Sequence, residues 1–507
     1  MTVSLPSRVR SLRQPLLALI LLAYAVIATL YAIYTPPWQV PDEPAHYNYV
    51  AQIVTDGCCP VIAPGDYDQA VLSQLTGAGF PPDADLSPIE YEDHQPPLYY
   101  LLATPLFALT GGDLTALRLF SAALGAGVVL LTYLVIARLL PTRPELALAS
   151  AAFVAFVPQH VAMMAGVNND SLAELVLGLN MLALVTYLGN PPPQDIRDRT
   201  RLGKWFERPP FEGGPLRRAG ARGVGVPNAL DSNQSARTVL SQAQDARPRP
   251  DVHPALLGLL AGLAFLTKAT ITAIAPLLVA LAIFLRRRRE GRSWGWFLRQ
   301  AAWSGGVAIL LGAVWWVRDV TVYGWPDLFG LATHDRIATA GGQLRTADLI
   351  AEVGPGAYLR QFATTTYHSF WGQFGWMGVP MPPRTYLVIG LFSLWDIVGF
   401  CGLLFAFRNR LRLVGAAQDA LWLLAALIAL TVVGFIGYNA SFVQFQGRYL
   451  FPALPALGLI VALGVLGWSL LLSERWPILR WSPLALMGLL ALLDLWALFR
   501  YIVPNLS

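Results

Sequence analysis

Acidic residues stand in pairs at two places in this 507-residue chain. The stretch TPPWQVPDEPAHYNYVAQI holds Asp42 and Glu43 between Pro41 and Pro44, and PIEYEDHQPPLYYLL holds Glu92 and Asp93, followed by His94 and Gln95. Paired carboxylates suit general-base work on a hydroxyl, or the binding of a polyol. Cations stand apart from them in short motifs: Arg118, Lys268 in FLTKATI, Arg318 after Trp315 and Trp316, and Arg448 with Tyr449 in FQGRYLFP. Asn168, Asn169 and Asp170 form a further polar knot. Cations beside an acidic surface can hold a phosphate while a carboxylate prepares a nucleophile. Each cation alone also reads as a snorkelling anchor at a span end. Trp371, Phe374 and Trp376 of SFWGQFGW could stack on a sugar face or form an interfacial aromatic belt. His46, four residues after Asp42, could join His94 and an acid around a divalent metal, or simply make a hydrogen-bonding pair. No cofactor fingerprint, P-loop or zinc-type cysteine spacing stands in the chain, and Cys58, Cys59 and Cys401 make no disulfide framework.

The elements that must position these residues belong to a membrane. Hydrophobic residues make up 55% of the chain and charged ones only 13%, about half the charge of a typical soluble protein. Apolar stretches long enough to span a bilayer fall at about 15–34, 116–137, 146–166, 171–189, 254–268, 270–285, 300–317, 386–406, 419–438, 450–471 and 483–503. The spacing predicts an all-α polytopic protein of about eleven transmembrane helices, with the first an uncleaved anchor. Whether 254–285 is one helix or two decides the topology downstream, and the positive-inside rule favours two. The N-terminus is then cytoplasmic and the C-terminus outside, and 27 of the 36 basic residues lie inside.

Three parts follow. Residues 1–189 are an N-terminal membrane part with a first outer loop, 35–95, that holds ten acids and no Lys or Arg. Residues 190–253, rich in Pro, Gly, Arg, Ser and Gln, read as a disordered basic cytoplasmic linker. Residues 254–507 are a C-terminal membrane part with a second outer loop, 319–385. The first loop should carry an interfacial helix after Pro44 and another in PPLYYLLATPLF, with Tyr99 and Tyr100 at headgroup level. The inner run Arg286–Arg289 reads as a topology and lipid-headgroup anchor.

At DEPAH, EDHQPPLYYLL, NND, SFWGQFGW and QGRYLFP the sequence resembles the glycosyltransferase C superfamily, integral-membrane enzymes that use polyprenyl-phosphate sugar donors. It looks most like bacterial membrane proteins of unassigned function, and more distantly like protein O-mannosyltransferases and the aminoarabinose transferases of lipid A. The resemblance covers nearly the whole chain except 190–253. It implies a catalytic base at Asp42 with Glu43 beside it. It also implies that Lys268 faces the donor phosphate, that Arg318 is a second phosphate partner and that Arg448 belongs to the same site. The implied setting is the bacterial plasma membrane, with a polysaccharide, glycolipid or protein as acceptor and no nucleic acid. Where relatives carry a soluble domain after the last span, this sequence shows none, so acceptor recognition is expected from the two outer loops or a partner.

The expected reaction is attack of an acceptor hydroxyl on the anomeric carbon, with inversion. Glu92, Asp93, His94, Gln95, Arg118, Asn169, Asp170, Trp371 and Tyr449 would bind substrate. The rival readings are a transporter or flippase of lipid-linked saccharide, for which only Asp396 and Asp494 lie deep in spans, and a non-catalytic saccharide-lipid binding partner.

Overall fold

The computed structural model describes residues 13–189, 252–407, 415–472 and 476–506. The expected linker lies outside them except for Val252 and His253. The chain is helical almost throughout. In order come α1 (Arg13–Tyr34), α2 (Glu43–Thr55), α3 (Gln69–Gly77), α4 (Leu98–Thr110), α5 (Leu114–Leu139), α6 (Pro144–Ala155), α7 (Pro158–Met164) and α8 (Asp170–Leu188). Then follow α9 (Pro254–Phe265), α10 (Ala269–Thr272), α11 (Ile274–Glu290), α12 (Trp294–Tyr323), α13 (Leu331–Ala340), α14 (Thr346–Val353) and α15 (Pro355–Trp371). The last are α16 (Pro383–Phe407), α17 (Ala416–Ser441), α18 (Leu454–Leu472) and α19 (Ser482–Ala497). A two-stranded antiparallel hairpin, β1 (Gln373–Phe374) and β2 (Val379–Pro380), sits between α15 and α16.

Among the described residues, nine helices are long and apolar enough to cross a membrane, ten if the bent pair α6–α7 is one span. The expected span 146–166 is this pair, bent by 65°. Pro158 lacks the N–H that would continue the ladder and pushes Val157 out of the helical region. The expected span 254–268 is a helix of 12 residues, about 18 Å long and too short to cross alone. As the charge pattern favours, 254–285 is broken in two: Lys268 is extended, with φ −159° and ψ 139°.

Small residues let the helices close. A Cβ on Gly258 of α9 would fall 2.2 Å from the Ser304 carbonyl of α12, and one on Gly399 of α16 2.3 Å from the Gly464 carbonyl of α18. Such close approach is how helices associate where lipid provides no hydrophobic drive between them. Apolar side chains such as Leu310 and Leu387 remain exposed on the outside of their spans, as a lipid-facing surface requires.

The two predicted helices of the first outer loop form as α2 and α4. The stretch 319–385, expected as the second outer loop, folds into α13, α14, α15 and the hairpin. Tyr99 and Tyr100 are fully buried, not at headgroup level as expected. Tyr99 shares a 2.7 Å hydrogen bond with Ser121 of α5, and Tyr100 stacks on Tyr49 of α2 with centroids 3.7 Å apart. These contacts bind α4 and α2 to the bundle and fix both acidic ends of the loop.

Candidate active site

Asp42 and Glu43 are neighbours with opposite fates. Asp42 precedes α2 in a left-handed conformation, φ 67°, without capping the helix through its side chain. That conformation is costly for a residue other than glycine, and it turns the Asp42 carboxylate away from α2 toward Arg448 and Tyr91. Arg448 donates to Asp42 Oδ2, and Tyr91 donates to Oδ1 at 2.8 Å. The side chain keeps 20% of its surface accessible. Burial raises the Asp42 carboxyl pKa, but Arg448, His46 and the two hydrogen bonds outweigh it and hold it at about 2. The group is therefore ionised near neutrality.

Glu43 is fully buried. Arg118 donates to both its oxygens, at 2.7 and 2.6 Å, and the backbone N–H groups of Trp38 and Val167 each donate at 3.1 Å. The remaining donors of Arg118 go to the carbonyls of Ala32, Thr35 and Pro36 at 3.2, 2.6 and 3.0 Å. Contrary to the expectation that Glu43 assists as base and Arg118 binds substrate, both are occupied by each other and by backbone. The pair is a structural clamp.

Around Asp42 the chain gathers the other predicted polar residues. Lys268 Nζ lies 2.6 Å from Asp170 Oδ1 at the start of α8. His46 Nδ1 and the Tyr100 hydroxyl are 2.9 Å apart, and Asn169 Nδ2 donates to the same hydroxyl at 3.3 Å. Burial lowers the His46 pKa, Lys268 adds to this, and Glu92, Asp42 and Asp170 oppose it. The field of Arg448 also reaches Asp170. Tyr449 lies beside Arg448, whose guanidinium sits 5.4 Å from its ring. Several buried atoms here lack a hydrogen-bond partner: Glu92 Oε2, Asn169 Oδ1 and Arg448 Nε. Buried polar atoms are seldom left unpaired, and these suit a ligand's hydroxyl or phosphate oxygens.

Other expected site residues are placed elsewhere. Arg318, expected as a second phosphate partner, donates to Asp319 at 2.9 Å, to the Tyr323 hydroxyl at 3.3 Å and to the carbonyls of Cys59 and Pro60. It stacks over Trp315, 4.5 Å from the ring centre. It thereby fastens the middle of the first loop, where Cys58 and Cys59 are joined. Trp371 is buried at 7% exposure against Phe153 and Phe370, so its ring is not available to a sugar. Trp376 donates to the Trp38 carbonyl at 2.9 Å. His94 is buried, bonds the Tyr91 carbonyl at 3.1 Å and lies over His334, ring centres 4.3 Å apart. The nearby Gln95 is buried, with Oε1 unpartnered.

His46 and His94 are thus engaged separately and do not come together as metal ligands. The group of described residues with ligand atoms close enough for a cation, within 4.8 Å of one another, is Asp66, Glu90 and Asp93. Asp93 is almost fully buried, with Gln52 donating to Oδ2 at 3.0 Å and Oδ1 unpartnered. Burial raises its pKa to about 8; the Gln52 hydrogen bond opposes this, and Glu90, Asp66 and Glu92 add to it. Three oxygen ligands of this kind suit a hard divalent ion. Tyr91 and Tyr100, which hold Asp42 and His46, were not singled out as site residues. The available signal was their position inside the acidic motifs.

Residues 94–195 match the family model described as dolichyl-phosphate-mannose-protein mannosyltransferase, about a fifth of the chain. No curated protein matches the sequence. Among solved structures, ArnT from Cupriavidus metallidurans bound to undecaprenyl phosphate is 13% identical, with a TM-score of 0.44, covering 96% of this chain and 73% of that one. The oligosaccharyltransferase of Archaeoglobus fulgidus tethered with an acceptor peptide is 14% identical, with a TM-score of 0.47, covering 97% of this chain and 54% of that one. This chain thus spans about half of the archaeal enzyme. The family match bears out, on the segment that holds His94, Arg118, Asn169 and Asp170, the resemblance to the glycosyltransferase C superfamily that the motifs carry.

Proposed function

We propose that this membrane protein is a glycosyltransferase. It moves a sugar from a polyprenyl-phosphate donor to an acceptor hydroxyl on the outer face of the plasma membrane, with inversion. The observation that carries this reading is an ionised, partly accessible Asp42 beside Arg448, with Lys268 and Asp170 in the same cluster and unpartnered buried atoms around them. The match to a family named for a lipid-phosphate sugar donor supports the donor class.

Asp42 takes the proton of the acceptor hydroxyl as its oxygen attacks the anomeric carbon. The bond from that carbon to the lipid phosphate breaks, and Lys268 and Arg448 stabilise the charge on the leaving phosphate. A carboxylate held at about 2 is a weak base. The donor corrects this: its phosphate competes with Asp42 for Arg448, and release of that arginine raises the basicity of Asp42 only when donor is bound. Glu92, Asn169, Asp170 and Tyr449 line the space for sugar and acceptor hydroxyls. Glu43 and Arg118 position the base. Asp93, His94 and Gln95 stand behind the cluster with the second outer loop, and Arg318 holds the loop closed.

The test is Asp42→Asn in reconstituted membranes supplied with a polyprenyl-phosphate sugar. Transfer should fall by about a hundredfold or more while expression and melting temperature hold. Full transfer by the variant would refute the assignment of the base, and solute flux without donor would favour a transporter.

A further inference from the structure

The end of the bundle away from Asp42 carries a second polar site. Helices α8 and α11 run toward it from the Asp170–Lys268 cluster, and α9 and α12 begin at it. Between them lies a cavity of about 350 Å³, walled by His253, Arg286, Arg292, Arg299, Trp296 and Trp303. Glu290 meets Arg286 at 2.9 Å and Arg292 at 3.1 Å, and Arg299, on the same wall, makes no ion pair among the described residues. The N-terminal ends of α9 and α12 add their positive poles.

The run Arg286–Arg289 is not one uniform anchor. Arg287 lies over the Trp294 ring at 3.6 Å, and Arg289 pairs with Asp419 at 2.6 Å. Arg286 instead faces the cavity with Arg292 and Arg299, which come from outside the run. The surface beside the cavity is apolar: Trp303 is 56% exposed, Leu298 63% and Leu256 44%. Forked guanidiniums match phosphate oxygens, aromatic rings suit headgroup depth, and exposed leucines suit acyl chains. The charge sorting of the chain also assigns this end to the cytoplasmic leaflet, where anionic lipid lies.

We propose that this cavity binds the phosphodiester of an anionic phospholipid headgroup, with the acyl chains over Leu256 and Leu298. It is a site separate from that of the sugar donor. Arg292 and Arg299 are both exposed, so they can be changed without disturbing the core. The full chain is placed in nanodiscs of mixed phosphatidylglycerol and phosphatidylcholine, and the lipid retained on detergent extraction is measured by native mass spectrometry. The native chain should retain phosphatidylglycerol in preference, and Arg292→Gln and Arg299→Gln should each lower that preference about fivefold. Arg299→Glu, a charge reversal, should lower it further. Equal retention of the two lipids, or an unchanged preference in the Arg292→Gln/Arg299→Gln variant with native melting temperature, would overturn the site. Equal displacement by soluble glycerol phosphate at millimolar concentration would overturn the lipid assignment and give the arginines to a soluble phosphate ligand.

Discussion

Arg448 donates to the carboxylate of Asp42 across 406 positions of sequence. The contact joins the segment between α1 and α2 to the turn that leads into α18. It also sets the charge of the acid, whose pKa falls from 3.8 to about 2 against the pull of burial.

That shift has a pH signature. A carboxyl depressed in the folded state contributes stability above its unfolded pKa and loses it as pH falls through the folded value. The contribution, about 2 kcal/mol by the size of the shift, should be intact at pH 5 and disappear between about pH 4 and pH 2. Acid titration of melting temperature in detergent checks this. Arg448→Gln should flatten the profile in that window, whereas a profile identical to the native one would show that the pair does not control Asp42.

Breaking the Glu43–Arg118 clamp should damage folding more than chemistry. Glu43→Gln leaves a buried guanidinium without its counter-charge, a loss of about 3–5 kcal/mol. The double variant Glu43→Gln/Arg118→Met should recover part of it, as read by thermal unfolding. A Glu43→Gln protein of native stability that has lost transfer would instead make Glu43 a participant in the reaction.

Lys268 should matter to the donor. Lys268→Gln removes the cation facing Asp170 and the proposed phosphate, and should raise the KM for the lipid donor by about tenfold to a hundredfold. Binding of acceptor should change little. Kinetics with each substrate varied in turn separate the two effects.

Trp371→Ala should act through packing. Its indole fills space against Phe153 and Phe370, so truncation should cost about 3–5 kcal/mol and leave the KM for sugar donor near native in whatever protein survives. A selective rise in that KM with stability unchanged would return the ring to the sugar site.

The group Asp66, Glu90 and Asp93 should respond to divalent ions. Three carboxylates within 4.8 Å of one another repel, and a bound cation relieves this. Millimolar manganese should raise the melting temperature of chelator-washed protein, and Asp93→Asn should abolish the rise.

Much of this arrangement was legible in the sequence because charge is scarce and sorted. Asp42, Asp170, Lys268 and Arg448 each stand near a span end, so hydropathy, with the sorting of basic residues that divides 254–285 in two, brings them to one end of the bundle. The resemblance pointed to Asp42 over Glu43, but the residues themselves did not show how two adjacent acids part, because that turns on the left-handed backbone of Asp42. The partners of Arg318 were hidden as well. Periodicity puts it at the end of α12, but the loop that returns to meet it comes from residues more than 250 positions earlier. The bend in α6–α7 was masked for another reason: an averaged window of hydropathy passes over the single proline that makes it.

The clamp between Glu43 and Arg118 also imposes an order of assembly. Arg118 holds the carbonyls of Ala32 and Thr35 at the end of α1 as well as the carboxylate at the start of α2. During synthesis α1 and the acidic loop emerge first, when Glu43 has no counter-charge and the loop has nothing to settle on. The arrival of α5 in the membrane brings Arg118 and locks both at once. The turn that brings Arg448 follows only after α1 to α17 have been made, with α18 and α19 still to come. The nascent chain therefore has the start of α2 anchored early, and Asp42 gains its Arg448 partner late.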